Sequence, residues 1–233
     1  MSKLKENLCK SYKPEVNLCP ICKSKLVYKH AVSNKVIQFS NARFIRIKNL
    51  GYACPNCEQK HIYFSQTANK LAFKGSTYSA KVACMIDYYK KNNYGREEIC
   101  DILTSKGIII SNRNVDIIYK KLELIFSQDH DAFIKAAYQR MLDEFKEIRI
   151  SIDLITINEK YYVILYDYFT SEKLALWCFD SLDDPMLEKC LELYVNSKLG
   201  ITMVVTIRNV SRFYSMVKKN LSTSTKVISF EKF

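Results

Sequence analysis

The sequence lacks a long apolar run, and its N-terminus lacks an apolar core. No stretch approaches the roughly 18 consecutive apolar residues of a membrane-spanning helix. The opening residues, MSKLKENLCKSYK, have nothing like the central part of a signal peptide. These absences argue against membrane and secreted proteins, and we predict a cytoplasmic chain. Its nine cysteines are then expected to be thiols or metal ligands, because disulfides are rare in the cytosol.

Acidic residues are scarce in the first third of the chain. Residues 1–75 contain 14 Lys and Arg but only 3 Asp and Glu, a net charge of +11 out of +12 for all 233 residues. Residues 151–233 are balanced, with 10 of each sign. A positive charge of this density predicts a surface that binds a polyanion, because neutralised phosphates release condensed counterions. The alternative is a basic surface that only keeps the protein in solution.

Two CxxC motifs lie inside this basic region. Each tight turn directs two thiolates to one point, so Cys19, Cys22, Cys54 and Cys57 match the tetrahedral ligand set of a structural zinc ion. The segment between the motifs alternates like short strands, as in a zinc ribbon; redox-active dithiols are the alternative. His61 is a candidate spare ligand, although a surface or core histidine is the simpler interpretation. The remaining cysteines are expected to be buried thiols: Cys9, Cys84, Cys100, Cys178 and Cys190.

Helical periodicity begins after residue 75. Residues 76–93 and 94–107 are predicted helices, and a third covers 110–126 with Ser111 as its N-cap. Two helices joined by a turn that contains glycine form the layout of a helix-turn-helix, whose second helix presents its first residues to the major groove. Those residues are Asn112, Arg113 and Asn114. A plain three-helix packing unit is the alternative.

A linking helix is predicted for residues 128–147, and strand-like segments dominate from residue 148. Three strands, a helix, a strand, a helix and a last strand give the order βββαβαβ, which is the layout of a ribonuclease H-like core. The first strand contains ISIDLIT, in which Asp153 interrupts an apolar run. A buried charge is costly unless it is paired or bound to a metal, so Asp153 is a candidate site residue.

The order of these motifs resembles that of insertion-sequence DDE transposases. The resemblance rests on the two CxxC motifs, the segment ANKLAFKGSTYSAKV, the phrase REEICDILTSKGIIISNRNV and the strand ISIDLIT, and it runs along essentially the whole chain. It implies an α+β, multidomain fold. The parts are a β-rich zinc ribbon (1–75), a helical helix-turn-helix domain (76–127), the linking helix (128–147) and an incomplete, truncated α/β ribonuclease H-like domain (148–233).

In such transposases three acidic residues hold two divalent metal ions that activate water or a 3′-hydroxyl for attack on a phosphodiester. Asp153 matches the first acid. At the second position the sequence has Thr206, Ile207 and Arg208 and no acid. The segment STKVISFEKF lacks a His-Gln, Cys and His phrase that the family often carries there, and the sequence ends before a helix that could carry the third acid.

Asp167 and Asp180 are candidate substitutes for the missing acids, because neighbouring strands are only about 4.8 Å apart. Otherwise Asp153 is expected to be a vestige, hydrogen-bonded at a strand end or protonated. The resemblance thus implies a transposase-derived DNA-binding protein that is not expected to cleave DNA. One alternative is an active DDE-type transposase or nuclease that uses Asp153 with non-standard or trans-supplied carboxylates. Another is a zinc-ribbon module for protein interaction.

The expected cofactor is a structural Zn²⁺, with Mg²⁺ only if catalysis survives. Double-stranded DNA is the expected partner, and the chain could also form a homodimer. No association with a membrane is expected, and the expected location is the cytoplasm, in association with the nucleoid. Phosphate contacts are predicted for the cations of the ribbon: Lys23, Lys25, Lys29, Arg43, Arg46 and Lys48. Base choice is predicted to depend on Asn112, Arg113 and Asn114.

Overall fold

A computed structural model describes residues 8–57, 61–73, 75–207 and 211–229. The chain forms two compact units: residues up to Leu124 apart from Pro20–Lys23 make the first, and Pro20–Lys23 with Ile125–Phe233 make the second. In these ranges the protein is mixed α+β, with seven α-helices and two mixed sheets. No helix in the described part of the chain is both long and apolar enough to span a membrane.

The first unit begins with a sheet of four strands: β1 (Leu8–Tyr12), β2 (Val27–Gln38), β3 (Phe44–Ala53) and β4 (Ile62–Tyr63). Central β3 pairs in parallel with β1 and in antiparallel with β2 and β4. Alternate residues of β3 are buried, so one face of the sheet packs inwards while the opposite face presents Arg46 and Lys48 to solvent. The alternation confirms the strands predicted between the CxxC motifs, whereas β1 was not predicted.

A short helix, α1 (Gln66–Leu71), was also not predicted and packs on the inner face of this sheet. Its N-cap is Ser65, whose Oγ accepts from the Ala68 N–H at 3.2 Å. The Glu15 carboxylate adds two further bonds at the same end, from the N–H groups of Gln66 at 3.0 Å and Thr67 at 2.9 Å. A helix of six residues is marginal by itself, and these caps satisfy N–H groups that have no partner within the helix.

Three helices complete the first unit: α2 (Ala80–Lys91), α3 (Arg96–Ser105) and α4 (Asn112–Phe126), whose last two residues fall in the second unit. They confirm the three predicted helices, and their predicted apolar faces hold buried residues such as Val82, Ile99 and Val115. The turn between α3 and α4 begins at Gly107, whose φ is +75°. A Cβ there would lie 2.7 Å from the Cβ of Ala42, so both the backbone and the space favour glycine.

The second unit contains α5 (His130–Phe145), β5 (Ile148–Ile157), β6 (Lys160–Asp167), β7 (Lys173–Phe179), α6 (Pro185–Tyr194), a 3₁₀ turn (Ser197–Leu199), β8 (Ile201–Thr206), α7 (Ser211–Lys219) and β9 (Lys226–Ser229). The predicted order βββαβαβ is therefore present. The sheet has the strand order β7-β6-β5-β8-β9, with β5 antiparallel to β6 and parallel to β8. Asn158 and Glu159 form the two-residue β5–β6 turn with φ of 43° and 67°, the geometry of a type I′ hairpin.

Candidate functional site

Four cysteines converge beside the first sheet. The Sγ atoms of Cys19, Cys22, Cys54 and Cys57 lie within 4.8 Å of one another, and those of Cys19 and Cys57 are 3.7 Å apart. A zinc ion holds four thiolates at about 2.3 Å in a tetrahedron, which places the sulfurs about 3.8 Å from one another. The cluster is therefore a possible metal site compatible with Zn²⁺, as the two CxxC motifs predict.

Hydrogen bonds shape both cysteine turns. In the first turn the N–H of Cys19 donates to the Ser24 carbonyl at 2.8 Å, and Lys23 has a φ of 60°. In the second turn the N–H of Asn56 donates to the Sγ of Cys54 at 3.4 Å, so this backbone contact orients the sulfur. The Asn56 amide nitrogen also donates to the Ser24 hydroxyl at 2.9 Å and so connects the turns. Sequence reasoning missed Ser24 and Asn56, whose only signal was their place within or beside the CxxC motifs.

Burial of the cysteines differs across the cluster. Cys19 and Cys54 are buried, Cys57 is half-buried and Cys22 is exposed. His61 is not part of the group and packs edge-on against Tyr63, with ring centroids 4.5 Å apart. In the described ranges, no other group of three or more His, Cys, Asp or Glu side chains is arranged to hold a metal ion.

The other five cysteines are less uniform than the sequence suggested. Only Cys84 is a buried thiol; Cys100, Cys178 and Cys190 are half-buried, and Cys9 is exposed on β1. The prediction of a buried thiol is therefore wrong for Cys9. It lies opposite Arg46 on the solvent face of the sheet, where alternation places every second residue in water.

The six cations predicted to contact phosphates are all exposed: Lys23, Lys25, Lys29, Arg43, Arg46 and Lys48. The ammonium of Lys23 donates to the Pro20 carbonyl at 2.7 Å, so this side chain is partly committed to its own turn. Arg46 and Lys48 are two residues apart on central β3 and share its solvent face. The strands β1, β2 and β3 contain five Lys and Arg and no Asp or Glu. These three strands therefore carry positive charge and have no acidic residue of their own to neutralise it.

The beginning of α4 has the predicted cap. The Ser111 Oγ accepts from the N–H of Asn114 at 3.3 Å, and Arg113 is exposed while Asn112 and Asn114 are half-buried. The side chain of Asn114 lies 3.5 Å from the hydroxyl of Tyr78. Of the three residues predicted to face bases, Arg113 is thus the most accessible.

Asp153 lies at the centre of the second sheet and is completely buried. Its strand neighbour on β6 is Ile164, and both side chains lie on the same face. On the other side, the parallel register pairs Ser151 with Val205 and therefore places Ile207 beside Asp153. The N–H of Ile207 continues the ladder by donating to the Ile152 carbonyl at 3.0 Å. The buried strand position of Asp153 is confirmed, and Arg208 lies outside the described residues.

Asp167 is not a substitute acid for Asp153. It pairs with Ile150, so its side chain lies on the opposite face of the sheet from that of Asp153. There it accepts from Arg140 of α5 at 2.6 Å and from the N–H groups of Phe169 and Thr170 at 2.6 and 2.9 Å. Its role is to hold α5 and the turn after β6.

Asp180 is too distant for the same role. It follows β7, whose last residue Phe179 pairs with Tyr161, and it forms an ion pair with Lys160. Two strand spacings and four residues along the sheet separate it from Asp153, roughly 16 Å of backbone distance. Neither proposed substitute therefore converges with Asp153.

No protein-family model matches the chain. A search of curated proteins likewise gives no match.

Proposed function

We propose that this chain is a transposase-derived protein that binds double-stranded DNA and does not cleave it. The observation that carries the proposal is the cationic sheet beside the cysteine cluster. Strands β1, β2 and β3 contain no acid, and all six predicted phosphate-binding cations are exposed. Such a surface matches the charge of a phosphate backbone, and the exposed Arg113 at the start of α4 is suited to a base edge.

A structural zinc ion would be held by Cys19, Cys22, Cys54 and Cys57. When bound, it would supply a cross-link between two turns whose outermost cysteines, Cys19 and Cys57, are 38 residues apart in sequence. Such a cross-link favours the folded ribbon over the unfolded chain. The hydrogen bond between Ser24 and Asn56 favours the same arrangement of turns. The role proposed for the metal is therefore to position the basic sheet, not to carry out chemistry.

The second unit supports descent from a DDE transposase. A five-stranded sheet with an antiparallel meander, a central first strand and two added parallel strands agrees with the ribonuclease H-like layout that the sequence suggested. Asp153 lies on that central strand. Loss of cleavage is proposed because a two-metal site needs several converging carboxylates, whereas Asp153 has Ile164 and Ile207 as its same-face neighbours.

Binding and cleavage can be tested on the same zinc-loaded protein. We expect gel shifts with duplex DNA at low salt and no nicking when Mg²⁺ or Mn²⁺ is added. Nicking that Asp153→Asn abolishes would refute the loss of catalysis. Absence of any duplex binding at low salt would instead refute the DNA-binding proposal and favour a protein-interaction module.

A further inference from the structure

The solvent face of the first sheet contains aromatic and aliphatic groups in addition to its cations. Residues of β3 on this face are Arg46, Lys48, Leu50 and Tyr52, and their register partners on β2 are respectively Val36, Asn34, Val32 and Tyr28. We call these eight residues the ribbon face. Tyr28, Val32 and Val36 are 37%, 40% and 38% exposed, which is unusual for apolar side chains that share one sheet face.

The tyrosines form one end of the ribbon face. The ring centroids of Tyr28 and Tyr52 are 5.6 Å apart with planes inclined at 52°, and the His30 ring lies 4.7 Å from that of Tyr28. A register shift after Tyr28 bends β2 at this point. The arrangement leaves the more exposed ring, Tyr28, with part of its surface open to a flat ligand.

The cations lie further along the same strands. Lys48 is four residues from Tyr52, about 13 Å along the strand, and Arg46 is two residues beyond. No described residue of β1, β2 or β3 is acidic, so a negatively charged ligand meets no repulsion from these strands. The ribbon face therefore combines a stacking surface, an aliphatic strip and positive charge in one row.

We infer that the ribbon face binds unpaired nucleotides, with a base stacked on Tyr28 and phosphates near Lys48 and Arg46. Duplex DNA offers phosphates to such a surface, but its base faces are already stacked on one another. Unpaired nucleotides expose both groups, and aromatic residues interleaved with cations are the usual means of binding them. This inference rests on the proposed function, which it deepens by adding single-stranded DNA as a ligand of the ribbon.

The test compares labelled oligothymidine of about 12 nucleotides with a duplex, by fluorescence anisotropy on the full zinc-loaded chain. We expect Tyr28→Leu to weaken oligothymidine binding about tenfold and duplex binding less than about twofold, because leucine keeps apolar contact but has no π-face. Tyr28→Phe should retain the affinity. The matched control is Tyr94→Leu, which removes a 41%-exposed tyrosine whose ring also has an aromatic neighbour, Tyr89, at 5.5 Å.

The outcomes separate this inference from the proposed function. Unchanged oligothymidine affinity in Tyr28→Leu, or an equal loss of affinity for the duplex, would overturn the inference without overturning the proposal that the wild-type protein binds duplex DNA. Failure of the wild-type protein to bind either ligand would overturn both. If Tyr28→Leu loses zinc, photo-crosslinking of an iodouracil oligonucleotide to the wild-type chain decides the question. Crosslinks within residues 27–53 support the inference, and crosslinks confined to other segments overturn it.

Discussion

The salt dependence of duplex binding gives the most quantitative test of the proposal that the ribbon cations contact DNA phosphates. Of the six exposed ribbon cations, Lys23 is hydrogen-bonded to its own turn, which leaves five for phosphates. Five contacts predict a slope of about −4.5 for log K against log salt concentration, and hence about a 500-fold loss of affinity between 50 and 200 mM salt. Replacing Arg46 and Lys48 by Gln should reduce the slope to about −2.7 and the loss to about 40-fold.

The assay is fluorescence anisotropy of a labelled duplex over a series of salt concentrations, with zinc content measured for each preparation. The control carries Lys189→Gln and Lys198→Gln, which remove two exposed cations of the second unit and the same net charge. We expect the control to keep the wild-type slope. A slope that stays near −4.5 in the Arg46 and Lys48 variant, or an equal change in the control, would show that the ribbon does not supply the phosphate contacts.

Three further results are expected. Each wild-type chain should contain close to one zinc ion, as measured by metal analysis. Cys54→Ser or a strong chelator should remove the metal and unfold the ribbon, so that proteases cleave the first sixty or so residues. A zinc-free protein that resists proteolysis would contradict this. Arg140→Met should lower the free energy of unfolding by about 1.5–3 kcal/mol, because the buried carboxylate of Asp167 loses its cation but keeps two N–H donors. Urea denaturation measures this change, and a double-mutant cycle with Asp167→Asn should give a non-zero coupling energy between the two side chains. Arg113→Ala should alter site preference in a binding selection, and an unchanged consensus sequence would exclude α4 as a recognition helix.

Most elements could be predicted because each has a local signal. The helical period marks α2, α3, α4 and α5, and the cysteine spacing marks the cluster. Two of the elements that were not predicted, β1 and α1, depend on residues distant in sequence. Strand β1 is defined by parallel pairing with β3, some 37 residues away, and α1 depends on the Glu15 carboxylate about 50 residues before it.

The acidic residues of the second unit show a different limit of prediction from the sequence. Asp153 could be recognised from its apolar surroundings alone, but the interpretation of Asp167 needed the register of the hairpin. A two-residue turn at Asn158 and Glu159 pairs Ile157 with Lys160, and this register fixes Asp167 opposite Ile150. If Lys160 belonged to the turn as a third residue, the register would shift by one and every side chain of β6 would lie on the other face. The length of a turn, more than the presence of an acid, decides which carboxylates can meet.

Strand β2 has a consequence for how the protein behaves at high concentration. In the described part of the chain β2 pairs with β3 along one side, while on its other side only Gln38 bridges to Tyr78. Such an open edge can recruit an edge of another molecule and begin aggregation. Lys29, Lys35 and the irregularity after Tyr28 oppose that encounter by charge repulsion and by bending the strand. Variants that neutralise these lysines should therefore lose colloidal stability, independently of any effect on ligand binding.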